Sequence, residues 1–365
     1  QEDQRFSRPP DSTTLAPLHE LLFRSYLSNL IQFTDLFNQP FSYNNDGKSN
    51  MTNFPSRKDI EEAYKRIKSH IHYTPVYTCA TINKILDAQI FFKCENLQKV
   101  GAFKFRGATN AVLSLTEKES SRGVATHSSG NHAAALTLAA SQKEIKAYIV
   151  MPRTAPLIKK MAVEDYGAEI ILCEPTLQSR EETLNEVVEK TNAVFIHPFN
   201  DDRIICGQAT ACFELLEQVN DLDVVVTPVG GGGLLSGTAL SATYFSPKTK
   251  IVGAEPEGAD DACRSLELGK IQPSVNPKTI CDGLLTSLGP LTFPIIKKYV
   301  ERILTSDDET IIQAMRLIWE RMKLITEPSA AVTLAVLLKN KDFCRNKKIG
   351  IVLSGGNVDL ENLPW

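Results

Sequence analysis

From Arg57 onward, short apolar segments alternate with segments of helical periodicity, and this alternation constrains the fold more than any other feature. The short segments are rich in β-branched residues and predict strands over residues 89–94, 123–127, 146–151, 169–173, 193–197, 224–226, 251–255 and 348–353. Short apolar strands between helices are typical of parallel sheets that are covered on both faces. The sequence therefore predicts a doubly wound α/β protein with two or more sheets.

Apolar residues at helical spacing fill most of the intervals between these strands. They predict helices over residues 60–71, 107–115, 131–142, 155–166, 179–191 and 207–219. Residues 1–53 differ, because an apolar-rich stretch over residues 15–37 lies between two polar runs. We interpret residues 1–53 as an N-terminal extension that is either poorly ordered or one amphipathic helix.

Composition excludes several classes of function. The 365 residues carry a formal net charge of −3 with Lys and Arg spread along the chain, which argues against a nucleic-acid partner. No apolar run reaches the length of a membrane span, so no membrane association is expected. The eight cysteines are scattered without a CxxC pair, which favours free thiols in the cytoplasm over a zinc site or a disulfide framework.

Four unusual segments fall where strands lead into helices, the place where ligands bind in open α/β sheets. The first, NLQKVGAFKFRGA over residues 96–108, places Lys104 among small and aromatic residues. Such neighbours would desolvate the amine and lower its pKa, as a Schiff-base lysine requires. A single lysine without further support would more often be an ordinary surface residue.

The second segment, VVVTPVGGGGLLSG over residues 224–237, has four consecutive glycines between a predicted strand and a predicted helix. Uncovered backbone amides at such a turn can converge on a phosphate. A flexible linker is also rich in glycine, but an apolar strand and a helix rarely bound a linker so tightly. Neither a P-loop nor the G-x-G-x-x-G pattern is present, so a dinucleotide is the weaker ligand.

The remaining two segments are shorter. The loop THSSGNH over residues 126–132 joins a strand to a helix and can hold an anion such as a carboxylate. Its serines, taken alone, would more often cap the helix. The segment LSGGN over residues 353–357 places Ser354 where it could meet a ring nitrogen, although the segment alone is only a turn.

In this order, the four segments resemble those of the fold-type II pyridoxal phosphate (PLP) enzymes, whose fold is like that of the tryptophan synthase β subunit. Within that group, residues 57–365 resemble the serine racemase and serine/threonine dehydratase family. The resemblance implies a large PLP-binding domain over residues 54–122 and 200–365 and a small domain over residues 123–199. Each domain would contain a mainly parallel sheet flanked by helices, and the protein would be a homodimer.

The resemblance also implies roles for individual residues. Lys104 would bind PLP covalently, Asn131 would contact its 3′-oxygen, and Ser354 would partner its ring nitrogen. The full cofactor set would be Phe103, Lys104, Asn131, Gly230, Gly231, Gly232, Gly233, Leu234 and Ser354. The substrate, a small amino acid, would meet Ser128, Asn131, His132, Arg180 and Thr286.

Ser129 aligns with the second catalytic base of serine racemases, where bacterial threonine dehydratases typically have alanine. Racemisation needs a proton donor on each face of the α carbon, and Lys104 and Ser129 would supply the two. Loss of the β-hydroxyl would instead give pyruvate and ammonia. Two alternatives stay open: a dehydratase acting on threonine, serine or threo-3-hydroxyaspartate without significant racemisation, and a catalytically inactive regulatory homologue.

The resemblance also implies a divalent-cation site. Residues 254–261, AEPEGADD, resemble a divalent-cation loop in which Glu255, the Ala259 carbonyl and Asp261 would be ligands. Oxygen-only ligands suit Mg²⁺ or Ca²⁺ rather than Zn²⁺, whereas composition alone favours an acidic surface turn.

The pattern of ATP-regulated racemases is matched only in part. Ala134 and Val100 replace the Gln and Thr of that pattern, and Phe199 stands where the mammalian form has Asn. Other positions of the pattern are retained: Tyr166, Lys323 and Asn357. ATP is therefore an open question as an effector.

Overall fold

The structure, a computed structural model, describes residues 54–155 and 157–365. The amphipathic helix considered for residues 1–53 lies outside the described residues. Ten strands are present in the described part: β1 Val76–Tyr77, β2 Gln89–Cys94, β3 Val124–His127, β4 Ala147–Pro152, β5 Glu169–Cys173, β6 Val194–Phe195, β7 Val224–Pro228, β8 Lys250–Pro256, β9 Arg302–Ser306 and β10 Lys348–Leu353.

These strands form two sheets. The larger has the order β1-β2-β10-β7-β8-β9, and all its neighbours pair in parallel except β1 with β2. The smaller has the order β5-β4-β3-β6 and is parallel throughout. The prediction of an α/β protein with mainly parallel sheets is confirmed.

Helices cover these sheets. The described residues contain α1 Arg57–Ile67, α2 Ala80–Leu86, α3 Lys104–Leu113, α4 Glu117–Ser120, α5 Asn131–Ser141, α6 Leu157–Asp165, α7 Leu177–Thr191, α8 Asp202–Gln218, α9 Gly233–Phe245, α10 Asp261–Leu268, α11 Thr292–Tyr299, α12 Asp308–Met322, α13 Pro328–Lys339 and α14 Lys341–Cys344. Among the described residues, no helix combines the length and the apolar character that crossing a membrane requires.

Capping explains where several predicted boundaries were wrong. Helix α8 begins five residues before the predicted position because the Asp201 side chain accepts a hydrogen bond from the backbone N–H of Arg203. Helix α1 begins at Arg57, after a capping box formed by Ser56 and Asp59, and ends at Ile67 instead of residue 71. The predicted strand over residues 193–197 is reduced to two residues, Val194–Phe195.

Three helices, α3, α8 and α9, pack backbone against backbone at glycines. A Cβ atom added at Gly207 of α8 would lie 2.5 Å from the Cα atom of Gly107 in α3. A Cβ atom added at Gly237 of α9 would lie 2.6 Å from the backbone nitrogen of Ala209 in α8. Helix α8 is therefore in direct backbone contact with both α3 and α9.

Candidate active site

Lys104 is the first residue of α3, and its side chain is partly buried. The Nζ atom donates a hydrogen bond to the backbone oxygen of Pro198 at 3.0 Å and lies 5.2 Å from the centre of the Phe103 ring. Burial lowers the pKa of Lys104 to about 8, although the carboxylate of Glu327 opposes the shift. Near neutral pH, a larger fraction of this amine is therefore unprotonated and nucleophilic than in a surface lysine.

The start of α3 is tied to the loop that follows β10. The backbone N–H of Phe103 donates to the backbone oxygen of Ser354 at 2.9 Å, and Ala102 forms an antiparallel bridge with Gly355. Ser354 is buried at this junction. Two of the predicted cofactor segments are therefore in contact, although they are about 250 positions apart in the sequence.

The glycine loop between β7 and α9 is held closely from several sides. Added Cβ atoms would lie 2.3 Å from the Phe199 ring at Gly231 and 3.1 Å from the Leu284 Cα atom at Gly230. Gly232 has φ +87°, a left-handed conformation that favours glycine. Thr292 Oγ1 donates to the backbone oxygen of Gly231 at 2.9 Å. Gly231 and Gly232 therefore could not carry a side chain without a shift of the residues around the turn.

The first turn of α9 is suited to a phosphate. Helix α9 begins at Gly233, and in the described structure no side chain caps its N-terminus. Leu234, in that first turn, is buried. Uncapped amides at the N-terminus of a helix attract anions through hydrogen bonding and the helix dipole. The glycine loop and this first turn, which together form a phosphate cradle, therefore fit the phosphate group of PLP.

The loop between β3 and α5 carries the paired serines. The Oγ atom of Ser128 accepts a hydrogen bond from the backbone N–H of Gly130 at 3.4 Å, so this serine partly supports the turn. The position before α5 is Gly130, and no side chain in the described structure caps the helix. Ser129 is therefore not the N-cap of α5, and it stays partly exposed.

Asn131, at the start of α5, connects this loop to a buried carboxyl group that the sequence analysis missed. Its Nδ2 atom donates to the two oxygens of Glu327 at 3.1 and 3.2 Å, and its Oδ1 atom accepts from Asn357 Nδ2 at 2.9 Å. The backbone N–H of Asn357 also donates to Glu327 at 3.2 Å. Burial raises the pKa of Glu327 to about 7, with a further contribution from Asp282.

Glu327 gave only a weak signal in the sequence. It directly precedes Pro328, the first residue of α13, so it resembles an ordinary acidic helix start. In the structure it accepts a hydrogen bond from Asn131, which lies 196 positions away in the sequence, and no local pattern signals that contact.

Three histidines on the small-sheet side of Lys104 are held neutral. Burial lowers the pKa of His127 to about 4 and that of His197 to about 3, and it lowers the pKa of His132 well below its usual value. His197 Nδ1 accepts from the backbone N–H of Asn200 at 2.9 Å, and His132 Nδ1 is buried without a hydrogen-bond partner. The sequence analysis named only His132 of these three.

The remaining predicted substrate residues occupy two separate places. Arg180, on α7, has a buried Nε atom without a hydrogen-bond partner, and its charge contributes to the lowered pKa of His127. The hydroxyl of Thr286 would lie 3.5 Å from a Cβ atom at Gly230, beside the glycine loop. Arg180 therefore lies near the histidines, and Thr286 near the phosphate cradle.

The predicted cation loop is at the carboxyl end of β8. Glu255 accepts hydrogen bonds from the backbone N–H groups of Ala262 and Cys263, both at 2.9 Å, and so caps α10. Both carboxylate oxygens of Asp261 are buried without a hydrogen-bond partner. Burial raises the pKa of Glu255 to about 8 and that of Asp261 to about 6.

These unpaired oxygens fit a hard cation better than an acidic surface turn, whose carboxylates would be solvated. Ala259, the predicted carbonyl ligand, is buried in the short 3₁₀ turn over residues 257–259. Within the described ranges, no three or more His, Cys, Asp or Glu side chains cluster to hold a metal. A cation at this loop would therefore need carbonyl or water oxygens as well as the two carboxylates.

Comparison with known proteins places these residues in a family context. A family model described as "Pyridoxal-phosphate dependent enzyme" matches residues 67–355. A β-hydroxyaspartate dehydratase from Paracoccus denitrificans is 50% identical over 311 residues, which cover 85% of this chain and 99% of that protein.

A serine racemase from Dictyostelium discoideum is 51% identical over 310 residues, which cover 84% of this chain and 96% of that protein. The crystal structure of serine racemase from that organism superimposes with a TM-score of 0.81, covering 85% of this chain and all of the other. The matched part of the chain therefore shares its fold with a solved serine racemase.

Proposed function

Because this chain belongs to the family of pyridoxal-phosphate dependent enzymes, we propose that it interconverts L-serine and D-serine and also dehydrates L-serine to pyruvate and ammonia. The identity to serine racemases supports this substrate. The observation that carries the proposal is the partly buried Lys104 amine, whose pKa is lowered to about 8 and whose charge acts on His132, three residues after Ser129.

We propose that the glycine loop and the first turn of α9 bind the phosphate of PLP, with Ser354 at the ring nitrogen and Asn131 at the 3′-oxygen. When bound, PLP stabilises negative charge at the α carbon of the substrate. Ser354 is a neutral partner, so it would leave the ring nitrogen largely unprotonated. The backbone amides of residues 128–131 would bind the α-carboxylate of the amino acid.

In this proposal two side chains move protons. Lys104 Nζ removes the α proton of one enantiomer, and the hydroxyl of Ser129 protonates the opposite face. The three neutral histidines add no positive charge that would raise the cost of protonating Lys104. Dehydration of L-serine needs the proton transfer at Lys104 but not the one at Ser129.

The decisive experiment is Ser129→Ala with chiral analysis of the products from L-serine. D-serine formation should fall by roughly a hundredfold or more, the usual contribution of an acid–base group, while much of the pyruvate formation remains. The matched control is Ser128→Ala, which removes the neighbouring hydroxyl and should change both activities in proportion. Wild-type racemisation by Ser129→Ala would rule out the two-base mechanism.

A second candidate function is dehydration of threo-3-hydroxyaspartate without significant racemisation. Two observations favour it: the 50% identity to a β-hydroxyaspartate dehydratase, and the buried, unpartnered Nε atom of Arg180. A guanidinium group could pair with the second carboxylate of that substrate. The ratio of kcat/KM for hydroxyaspartate to that for L-serine separates the two candidates, and a ratio far above one would favour the dehydratase.

We also propose that Mg²⁺ or Ca²⁺ binds Glu255, Asp261 and the carbonyl of Ala259. The two unpartnered oxygens of Asp261 and the burial of Glu255 support this ligand set. Because these residues link the end of β8 to the start of α10, the cation would stabilise the fold.

The setting of the enzyme is proposed by analogy with the family. We propose a homodimer in the cytoplasm, where the eight unpaired cysteines would stay reduced. Light scattering from the purified protein checks the dimer. ATP regulation stays an open prediction, tested by assaying L-serine turnover with and without MgATP.

A further inference from the structure

Four buried charged side chains form a closed network beside the proposed active site. Lys93 and Glu95 come from the end of β2 and the turn after it, Arg106 comes from α3, and Glu214 comes from α8. All four are almost completely buried. The two cations balance the two carboxylates, so the network has no net charge.

Arg106 is at the centre of this network and is paired on both sides. Its Nε and Nη2 atoms donate to the two oxygens of Glu95 at 2.7 and 2.8 Å. Its Nη1 and Nη2 atoms donate to the two oxygens of Glu214 at 2.9 and 2.7 Å. Two bidentate contacts fix both the position and the rotation of a guanidinium group.

Lys93 belongs to the same network, but the hydrogen bonds of its amine go to residues outside α3. Its Nζ atom donates to Glu214 at 2.7 Å, to Gln218 at 2.9 Å and to the backbone oxygen of Thr74 at 2.8 Å. Lys93 therefore connects β2 with α8, whereas Arg106 connects both of these elements with α3.

Arg106 is two residues after Lys104, in the same first turn of α3. The next residue, Gly107, is in backbone contact with Gly207 of α8, and α8 in turn contacts α9 at Gly237. Helix α9 begins at Gly233, directly after the other glycines of the glycine loop. A continuous set of rigid contacts therefore runs from Lys104 through α3 and α8 to the phosphate cradle.

We propose that Arg106 is a positioning residue for Lys104: by fixing the first turn of α3 onto α8, it sets the distance between the Lys104 amine and the glycine loop. This inference rests on the proposed function, in which Lys104 binds PLP covalently and the glycine loop holds its phosphate. Apolar packing would allow α3 to slide along α8 by a fraction of a turn. Two opposed bidentate ion pairs do not allow this sliding. Fixing one arrangement in this way is one role for a buried charge network, whose desolvation costs free energy.

The test compares Arg106→Lys with Lys93→Met. Arg106→Lys keeps the charge but loses the two bidentate contacts, whereas Lys93→Met disturbs the same network without touching α3. Each purified variant is loaded with PLP, and the fraction of PLP that borohydride fixes to the protein is measured, together with thermal stability and steady-state kinetics on L-serine.

We expect Arg106→Lys to bind PLP but to show a smaller borohydride-fixed fraction. Its kcat should be roughly tenfold lower with little change in KM, because a displacement of about 1 Å can lower a reaction rate by as much as on the order of a hundredfold. Lys93→Met should lower the melting temperature while leaving the fixed fraction and kcat as in the wild type. If both variants lose thermal stability and both keep wild-type linkage and kcat, the network is only structural and the inference is wrong.

A milder variant covers the case in which Arg106→Lys does not fold. Thr210→Val removes a hydroxyl on α8 that accepts from Arg106 Nη1 at 3.2 Å, and it should lower the fixed fraction in the same direction. An unchanged fixed fraction in that variant would overturn the inference. Peptide mapping of the borohydride-treated wild type keeps the two claims apart, because a label on another lysine would contradict the proposed function itself.

Discussion

The carboxyl groups of Glu95, Glu327 and Asp261 are all buried, but their pKa values are shifted in opposite directions. Around Arg106, burial alone would raise the pKa of Glu95, but the charges of Arg106 and Lys93 outweigh it and the pKa is lowered. At Glu327 and Asp261, burial dominates and raises the pKa values to about 7 and about 6. The same residue types are therefore ionised and fully paired in one region and short of charged partners in the other.

The comparison distinguishes carboxyl groups that are already paired within the fold from carboxyl groups that remain free to pair with a ligand. Desolvated groups without full compensation tend to occur at ligand sites, because the ligand supplies the missing partner. Glu327 hydrogen-bonds to Asn131, a predicted PLP contact, and Asp261 is a predicted cation ligand. Burial alone therefore does not distinguish the two regions, whereas burial without a charged partner marks Glu327 and Asp261 as candidates for a functional role.

The largest expected effect is at Lys104, a partly buried amine whose hydrogen-bond partner is a backbone carbonyl. Lys104→Ala should remove the borohydride-reducible linkage and lower turnover of L-serine by roughly a hundredfold to ten-thousandfold. The matched control is Lys99→Ala, five residues earlier and outside the proposed machinery. Retention of a reducible PLP linkage by Lys104→Ala would show that a different lysine is the carrier.

Breaking the paired group should cost mainly stability. Glu214→Gln leaves Arg106 and Lys93 buried with too little negative charge, which should lower the free energy of unfolding by about 3–5 kcal/mol. Glu217→Gln, one turn further along α8 and exposed, should change it by less than about 0.5 kcal/mol. Denaturant unfolding of both variants gives the comparison. Equal small effects would mean that the network contributes nothing beyond its surface counterparts.

Removing the buried carboxyl group of Glu327 should change the pH dependence of stability instead. Burial favours protonated Glu327, so its contribution is present below its usual pKa of 4.5 and is lost as the pH rises through about 7. In protein freed of PLP, Glu327→Gln should flatten this loss, by up to about 3 kcal/mol across that range. Melting temperatures measured from acidic to neutral pH check the prediction, and parallel curves for the two proteins would contradict it.

The smallest effect is expected at the cation loop. Mg²⁺ should stabilise the chelated wild type by on the order of 2 kcal/mol at concentrations well above Kd, and Asp261→Asn should abolish that gain. Asp260→Asn is the matched control, since Asp260 is paired with Arg264 at 2.7 Å on the surface. A melting temperature that does not respond to Mg²⁺ in the wild type would reduce the loop to a helix cap.

The sequence was most informative where ligand contacts depend on a local motif. The glycine loop, the segment around Lys104 and the loop with Ser129 were all placed at the ends of strands, and the structure has them there. Their chemistry is encoded within about a dozen residues, so a single sequence suffices to predict it. The roles of those residues stay predictions until the variants are measured.

Features that depend on distant contacts were missed. Arg106 and Glu214 look like ordinary charged residues of two helices, and only the fold brings them together across 108 positions. The helix start at Asp202 was also missed, because a capping aspartate in the run NDDR is not distinguishable from a polar turn. The pairing of Arg106 with Glu214 is decided by tertiary structure, whereas the cap at Asp201 is a local contact that one of several similar polar residues could have made.

The position of β10 also has a consequence for how the protein is made. In sequence it follows every other strand, yet in the larger sheet it lies between β2 and β7 and contacts both. The smaller sheet uses only residues between Val124 and Phe195, so it can assemble during synthesis. The larger sheet must wait for β10 to leave the ribosome. Until then β2 and β7 expose unpaired edges, and we expect this interval to be the period of greatest risk of aggregation for the nascent chain.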